Sequence, residues 1–473
     1  MEHSHYDFCI VGAGASGLTT AYKLLKGGKK VLVIDRDNRI GGLGKSYEYD
    51  GHIFDTGPKR FHTDDPIVID FIEHVLKEDI LRIGRATKVY FLDRYFGWPL
   101  HTKDMIKLPI LTSLKCCLDL LKERKIKDKT SFHEFTNSKY GETLYRLFFA
   151  PYTKKFLRWD PEDLHSDWAS TGINRTIVDK RVKANSLFDI FKALMLPEKI
   201  DTEFLYPTRG GFGGFFDDLH DLCQQHDGFN VILSDKISKL EDEGQKFGAL
   251  TQNDKSLSFD QLIWSGNVND LCGIVAPSAT KVNYINTIFY NIICKESGIG
   301  NNRAQWIYVS KGDTLISRIT CMKEFAPYTC KDGYYNMICE LTDSQVNPKY
   351  FGNPDNHTDG ILSELNEMSF LEDKKSVEAV NTNAVLDTYP VYHKNYLKDF
   401  SAAAGLIKGF SKRIHLLGRS GAFWYNNSDH SIRMALEMAK KLLGNQENDF
   451  NYRNYFGGHI EEQTVSSEAN RPF

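Results

Sequence analysis

Residues 12–17 read Gly12-Ala13-Gly14-Ala15-Ser16-Gly17, a GxGxxG loop. Its glycines allow a tight turn and let backbone amides approach a pyrophosphate. A helix opening near Ala15 would point the positive end of its dipole at those phosphates. Asp35 closes the next apolar run, where a carboxylate accepts hydrogen bonds from ribose hydroxyls. A lone GxGxxG can be a mere packing turn, but an apolar strand before it, a helix after it and the acid at Asp35 together select dinucleotide binding. Farther along, Arg318, Tyr389, Tyr425 and Trp159 are side chains with ordinary structural uses. Taken singly, an arginine on a sheet is more often a surface ion pair, a tyrosine before Pro390 a core-edge aromatic, and Trp159 a packing residue.

These groups need elements to position them. Residues 6–11 read as a buried parallel strand, Leu18 to Leu25 as a helix ended by Gly27 and Gly28, and Lys30 to Asp35 as a second strand, together one βαβ unit. Residues 67–200 read as mostly helical, with amphipathic stretches at Ile69 to Leu76 and Leu144 to Phe156. A strand pair, Val89 to Leu92 and Tyr95 to Trp98, interrupts them. Strand character returns at 230–264, and residues 283–345 alternate as in an antiparallel sheet. A last strand, Arg413 to Leu417, leads through Gly418 to a helix from about Ser431 to Leu443. The fold class expected is α/β: a Rossmann-type FAD-binding domain with helical and antiparallel-sheet substrate insertions. The cofactor domain would be discontinuous, from residues 1–66, 203–275 and 396–445. Residues 67–202 would form a mainly helical domain, 276–395 a substrate sheet, and 446–473 a frayed tail.

FAD rather than NAD is indicated by Arg39-Ile40-Gly41-Gly42-Leu43-Gly44-Lys45-Ser46, which resembles the RxGGxxxS element of amine-oxidase-type flavoproteins. Gly41 and Gly42 would bring backbone close to the cofactor, with Arg39 near its phosphates. Ile237 after a later strand could meet adenine through its backbone, and Gly418 and Arg419 could face the flavin end. Beyond these, the order of motifs is similar to that of the UDP-galactopyranose mutase family. Thr56 to Asp65 resembles its GPHxFHTD loop, with His62 nearest the isoalloxazine and Lys59 replacing the first histidine. Leu144 to Trp159 resembles its LYxxFFxxYTxKxW helix, Tyr206 to Phe212 its P-x-x-G-[YF] turn, and Leu315 to Thr320 its YTRIT strand. Gly418 to Asp429 resembles GRLGTYxYxDMD, in which a tyrosine six residues and an aspartate ten residues after the arginine are an unusual combination.

The resemblance implies an enzyme of unusual chemistry. Reduced FAD would act as a nucleophile, N5 attacking the anomeric carbon of a nucleotide sugar and displacing the nucleotide diphosphate. The sugar opens, recloses as a five-membered ring, and the nucleotide returns. His62, Arg318 and Tyr425 would be the catalytic residues, and Trp159, Arg175, Arg318, Tyr389 and Tyr425 would hold substrate. Gly12, Gly14, Gly17, Asp35, Arg39, Gly41, Gly42, Ser46, His62, Ile237, Gly418, Arg419 and Asp429 would hold FAD. Two departures bear on the substrate. The second diphosphate arginine falls near Thr171 or Asn174 with Arg175 adjacent and Arg181 or Lys183 as substitutes, and the uridine-stacking segment finds no match in Ala184 to Ile190. A second class is therefore kept open: an FAD-dependent oxidase, dehydrogenase or desaturase of the amine-oxidase or protoporphyrinogen-oxidase type. A third is a catalytically silent FAD-stabilised scaffold for polysaccharide synthesis.

Composition narrows the partners. A net charge of -3 over 473 residues advertises no nucleic-acid surface. Nine scattered cysteines without a CxxC fit reduced thiols, and no metal site is expected. The N-terminus has no charged segment followed by an apolar one, and the longest apolar stretch, Leu108 to Leu121, is too short to span a bilayer. A cytoplasmic enzyme is expected, with a nucleotide-sugar substrate and no stable membrane insertion; a homodimer is left open. No separate nicotinamide-binding unit is evident, so NAD(P)H as reductant would bind transiently near the flavin.

Overall fold

A computed structural model describes residues 5–98, 109–120, 122, 126–169 and 203–444. The expected βαβ unit opens it: β1 (His5–Val11), α1 (Ala15–Lys26) and β2 (Val31–Ile34). All four residues of β2 are buried, as a strand covered on both faces requires. β1 and β2 pair in parallel, and β2 pairs in parallel with β9 (Phe229–Ile232). On the other side β1 pairs in parallel with β12 (Ser256–Trp264), which carries β18 (Ile414–Leu416) on its C-terminal half. The antiparallel ribbon β10 (Ile237–Asp242) and β11 (Phe247–Thr251) extends the edge through β12. One sheet is thus assembled from three separated stretches of chain. α1 packs between helices Gly214–Gln224 and Ser428–Leu442, the latter beginning three residues earlier than the sequence suggests.

The second sheet orders β17 (Val377–Pro390), β13 (Tyr284–Lys295), β16 (Tyr334–Ser344), β15 (Arg318–Cys321), β14 (Trp306–Val309), β6 (Thr87–Phe91) and β7 (Arg94–Gly97). It is not purely antiparallel, because β14 and β6 run parallel. The strand pair expected at residues 89–98 therefore joins this sheet rather than standing within a helical unit. Two further strand pairs have no clear local signature in the sequence. β3 (Ser46–Tyr49) pairs with β4 (His52–Asp55), and β5 (Ile80–Gly84) pairs with β8 (Glu203–Pro207). The pairing of β5 corrects the helical reading of that stretch. Its partner lies more than a hundred residues away, so no local pattern announces it. Among the described residues eight cysteines are free thiols, seven of them buried.

The helical stretch is pinned to the second sheet by one lysine. Helix Ala150–Leu157 follows a single π turn, Tyr145–Phe149, and carries Lys155, only 3% exposed. Its ammonium donates to the carbonyls of Val309, Lys311 and Ile316 and to Thr314 Oγ1, all at 2.7–2.8 Å. Burial pulls its pKa down to about 7. Four oxygens nevertheless converge on three protons, so the charged form is the one this cage accommodates. Lys155→Met should keep the volume but withdraw the ammonium from three carbonyls, of which those of Lys311 and Ile316 keep Thr314 Oγ1 as a donor. We expect a stability loss of about 3 kcal/mol or more, read from the urea midpoint at unchanged m. A loss below about 1 kcal/mol would mean that the carbonyls find water instead.

Candidate functional site

The cofactor loops meet where the sequence places them. Gly12 has φ +106°, and a Cβ there would lie 2.3 Å from Ser265 Oγ. A Cβ on Gly17 would sit 1.8 Å from the Gly12 carbonyl oxygen, so only glycine lets α1 leave β1 at this angle. The second loop closes on the first. Gly41 N–H donates to Ala13 O at 2.8 Å, and a Cβ on Gly42 would lie 3.0 Å from Gly14 Cα. α1 begins without a side-chain cap and with no acidic residue in its first turn, leaving its amides turned toward an anion. Asp35 is 9% exposed and accepts from the amides of Ala13 (2.6 Å) and Asp37 (2.9 Å). Burial still raises its pKa above the usual carboxylate value. Gly418 joins this wall with φ +74°, a Cβ there falling 2.7 Å from Ser16 Oγ.

Other candidate cofactor residues are less directly placed. Ile237 opens β10 beside a loop whose Asp235 N–H donates to Asp35 O at 3.1 Å, so its backbone neighbours the acidic residue. Arg39 is exposed, with Asp217 close enough to be stabilised by its charge. Ser46 is turned inward: it donates to Asp55 at 2.5 Å and accepts from Gly213 N–H at 2.7 Å. Its work is to fasten the β3–β4 pair to the Gly210–Gly213 turn. Asp55 also accepts from Tyr206 and Phe212, and burial lifts its pKa to about 6. Asp429 is 2% exposed in the first turn of helix Ser428–Leu442, 3.6 Å from His430.

Arg318, Tyr389, Tyr425 and Arg419 converge. Arg318 donates Nε and Nη2 to the two carboxylate oxygens of Glu340, at 2.7 and 2.6 Å, and Nη2 also reaches Tyr389 Oη at 3.1 Å. Glu340 is fully buried and Arg318 nearly so. Burial opposes the guanidinium charge, but Glu340 outweighs it and drives the pKa above the ordinary arginine value. The guanidinium of Arg419, which follows Gly418, lies 5.1 Å from the Tyr389 ring and 5.2 Å from the Tyr425 ring. Arg419 spends its donors on the carbonyls of Asn426 and Thr388 and meets no carboxylate among the described residues. Arg318 is thus a neutralised fork, and Arg419 carries the uncompensated charge. Tyr425 stacks on Trp168 at 5.2 Å, and burial, reinforced by Tyr389, pushes its hydroxyl up to about 12. Sequence reasoning finds neither Glu340 nor Trp168. Only an acidic residue alternating into a buried strand hints at Glu340.

The loop before His62 is pressed against this cluster. Gly57 has φ +91°, and a Cβ there would fall 2.6 Å from Glu340 Oε1 and 3.4 Å from Arg318 Nη2. Lys59 follows, then Arg60, whose guanidinium lies over Trp306 at 4.4 Å and Phe204 at 5.0 Å. His62 is exposed and meets Phe204 edge-on at 5.0 Å. Trp159 is placed elsewhere. It stacks on His393 at 5.8 Å and lines a separate cleft of about 460 Å³ with Arg158 and Asn347. Counted from Tyr152-Thr153, the motif's tryptophan position falls on Leu157, which is fully buried. The aromatic rings near the cluster are instead Phe156, 5.0 Å from Tyr389, and Tyr152, stacked with Phe148 at 6.3 Å. Arg175, Thr171, Asn174, Arg181, Lys183 and the segment Ala184 to Ile190 lie outside the described residues, as does the tail from 446. Among the described residues no group of three His, Cys, Asp or Glu side chains could hold a metal ion, and no helix is long and apolar enough to cross a membrane.

Comparison with known proteins agrees with this fold. Residues 10–75 match the NAD(P)-binding Rossmann-like domain. A UDP-galactopyranose mutase of Mycoplasma pneumoniae is 41% identical over 76 residues, 15% of this chain and 19% of that protein. A coproporphyrinogen III oxidase of Propionibacterium freudenreichii is 26% identical over 167 residues, 32% of this chain and 31% of that protein. The matched stretches thus span less than a third of either relative. The solved structure of a reduced UDP-galactopyranose mutase superposes with a TM-score of 0.81 at 18% identity, covering 98% of this chain and 100% of the other. The chain therefore has the fold of UDP-galactopyranose mutase, built on a Rossmann-like dinucleotide-binding unit.

Proposed function

We propose that the chain is an FAD-dependent enzyme acting on a nucleotide sugar, as a pyranose–furanose mutase. The observation that carries this reading is the continuity of two sites through one dipeptide. Gly418 abuts the start of α1, and Arg419 lies against both tyrosines, one of which bonds Arg318. The glycine wall fits an FAD pyrophosphate, with Asp35 as the ribose acceptor. Bound and reduced, the flavin would supply through N5 the nucleophile for the anomeric carbon. The chain's own residues would hold the leaving diphosphate: Arg419 by charge, Arg318 by the Nη1 edge that its pairing with Glu340 leaves over, and Tyr389 and Tyr425 by hydroxyls. Phe148 and Tyr152, nearly parallel, offer faces to a flat base.

A second reading follows from the coproporphyrinogen III oxidase relative: an FAD-dependent oxidoreductase whose cations bind substrate carboxylates. One experiment separates them. Flavin-loaded protein reduced with dithionite is incubated with UDP-galactopyranose and other nucleotide sugars, and products are resolved by chromatography. Interconversion of ring forms, with a UDP-induced change in the flavin spectrum, supports the mutase. Oxygen consumption with a porphyrinogen, without any response to UDP, overturns it.

Arg318→Ala should have two effects. Loss of a charge-assisted contact should weaken UDP binding by about 2 kcal/mol. The buried Glu340 left unpaired should cost about 3–5 kcal/mol of stability. Arg318→Met with Glu340→Gln should recover stability but not affinity, measured by thermal unfolding and UDP titration. Unchanged affinity in both variants would remove Arg318 from the site.

A further inference from the structure

Two residues before Tyr389, the carboxylate of Asp387 ties the substrate sheet to the cofactor sheet. β17 slips against β13 at this point. Tyr389 pairs with Ile285 and Val385 with Thr287, so residues 386–388 together face Asn286. The bulge holds Asp387 at φ 57°, a backbone conformation that L side chains rarely adopt. Its side chain is only 6% exposed. The Asp387 N–H donates to Asn286 Oδ1 at 3.1 Å, and its Oδ1 accepts from Gln345 Nε2 at 2.8 Å. Its Oδ2 accepts from Arg36 Nη2 at 3.0 Å. Arg36 follows Asp35, the expected ribose acceptor, whose own carboxylate is bonded to the glycine loop at Ala13. Asp270, half exposed and 3.8 Å from Arg36, is the more distant anion on that guanidinium.

The residues after Asp387 belong to the clamp. The Thr388 carbonyl accepts from Arg419 Nη1 at 2.9 Å, and Thr388 Oγ1 is fastened to β13 through the Ile285 carbonyl and Thr287 Oγ1. Tyr389 Oη then meets Arg318 Nη2 at 3.1 Å. A bulge bends its strand and re-aims the side chains beside it. A left-handed aspartate persists only where its surroundings over-determine it. Among the described residues Arg36 is the cation that pairs with this carboxylate. We infer that Asp387 is a positioning residue for the anion site: held by Arg36 beside the ribose acceptor, it fixes the bulge that aims the Tyr389 hydroxyl. The inference rests on the nucleotide-sugar reading above and adds to that site a group that acts only through Tyr389.

The test is a set of UDP titrations on protein saturated with FAD, with thermal unfolding as the check on folding. Asp387→Asn keeps a side chain that tolerates the left-handed backbone but loses the charge pair. Asp387→Gly takes up the same backbone without strain and loses the carboxylate altogether. Both should bind UDP about fivefold more weakly than wild type, and Arg36→Gln should lose as much. Tyr389→Phe should cost about tenfold. Asp387→Asn joined to Arg36→Gln should bind no more weakly than either alone, and joined to Tyr389→Phe no more weakly than Tyr389→Phe alone. A merely structural role would instead multiply the losses, to about fiftyfold with the tyrosine variant. Multiplied losses in either double variant, or wild-type affinity in both Asp387 variants, would overturn the role of Asp387 while leaving the nucleotide site standing. Failure of the wild type to bind UDP at all would overturn both.

Discussion

A carbon atom added to Gly17 would overlap the carbonyl of Gly12, and one added to Gly42 would press on Gly14. Those two approaches decide where everything else can stand. They allow α1 to start directly above the end of β1 and allow the loop after β2 to close over it. The amides of α1 then lie at the floor of a cleft whose second wall comes from the far end of the chain, at Gly418. The sheet supports this by parallel pairing: β12 runs beside β1, and β18 beside β12, so the loops after all three strands open at one end. Ligands of open parallel sheets bind at that end.

The second sheet meets the first at the same place, and its contribution is charge. Arg318 and Glu340 sit on adjacent strands in register, so the pair is set by backbone pairing. A buried ion pair of this kind adds little net stability, but it holds the guanidinium in one orientation. Its charge being balanced, attraction for an anion falls to Arg419. This division separates geometry from electrostatics: Arg318 supplies an oriented guanidinium whose Nη1 edge is left over from Glu340, while Arg419 supplies the excess charge. A diphosphate would find both, whereas a protonated amine would find a repulsive wall.

The parts legible in the sequence are those written locally. The GxGxxG loop, Asp35, the second glycine pair and the Arg419–Tyr425 spacing each depend on near neighbours in the chain, and each stands near its expected place. What escapes is long-range. β5 and β8 are separated by more than a hundred residues, and Glu340 gains its meaning only from the strand beside it. Ser46 matches the spacing of a cofactor contact, yet it fastens a hairpin to a distant turn.

Trp159 shows how a motif can mislead by two residues on a helix. A shift of two turns a side chain by about 200° around the axis, to nearly the opposite face. Leu157, at the motif's own position, is buried in the core, while Trp159 stacks on His393 beyond the helix end. Arg158 between them has φ 52°, so the chain has already left the helix when it reaches the tryptophan. The aromatic character of the site survives by other means: Trp168 lies against Tyr425 and Phe156 against Tyr389. What the fold preserves is an aromatic wall around the cations, and which residues build it depends on where each helix stops.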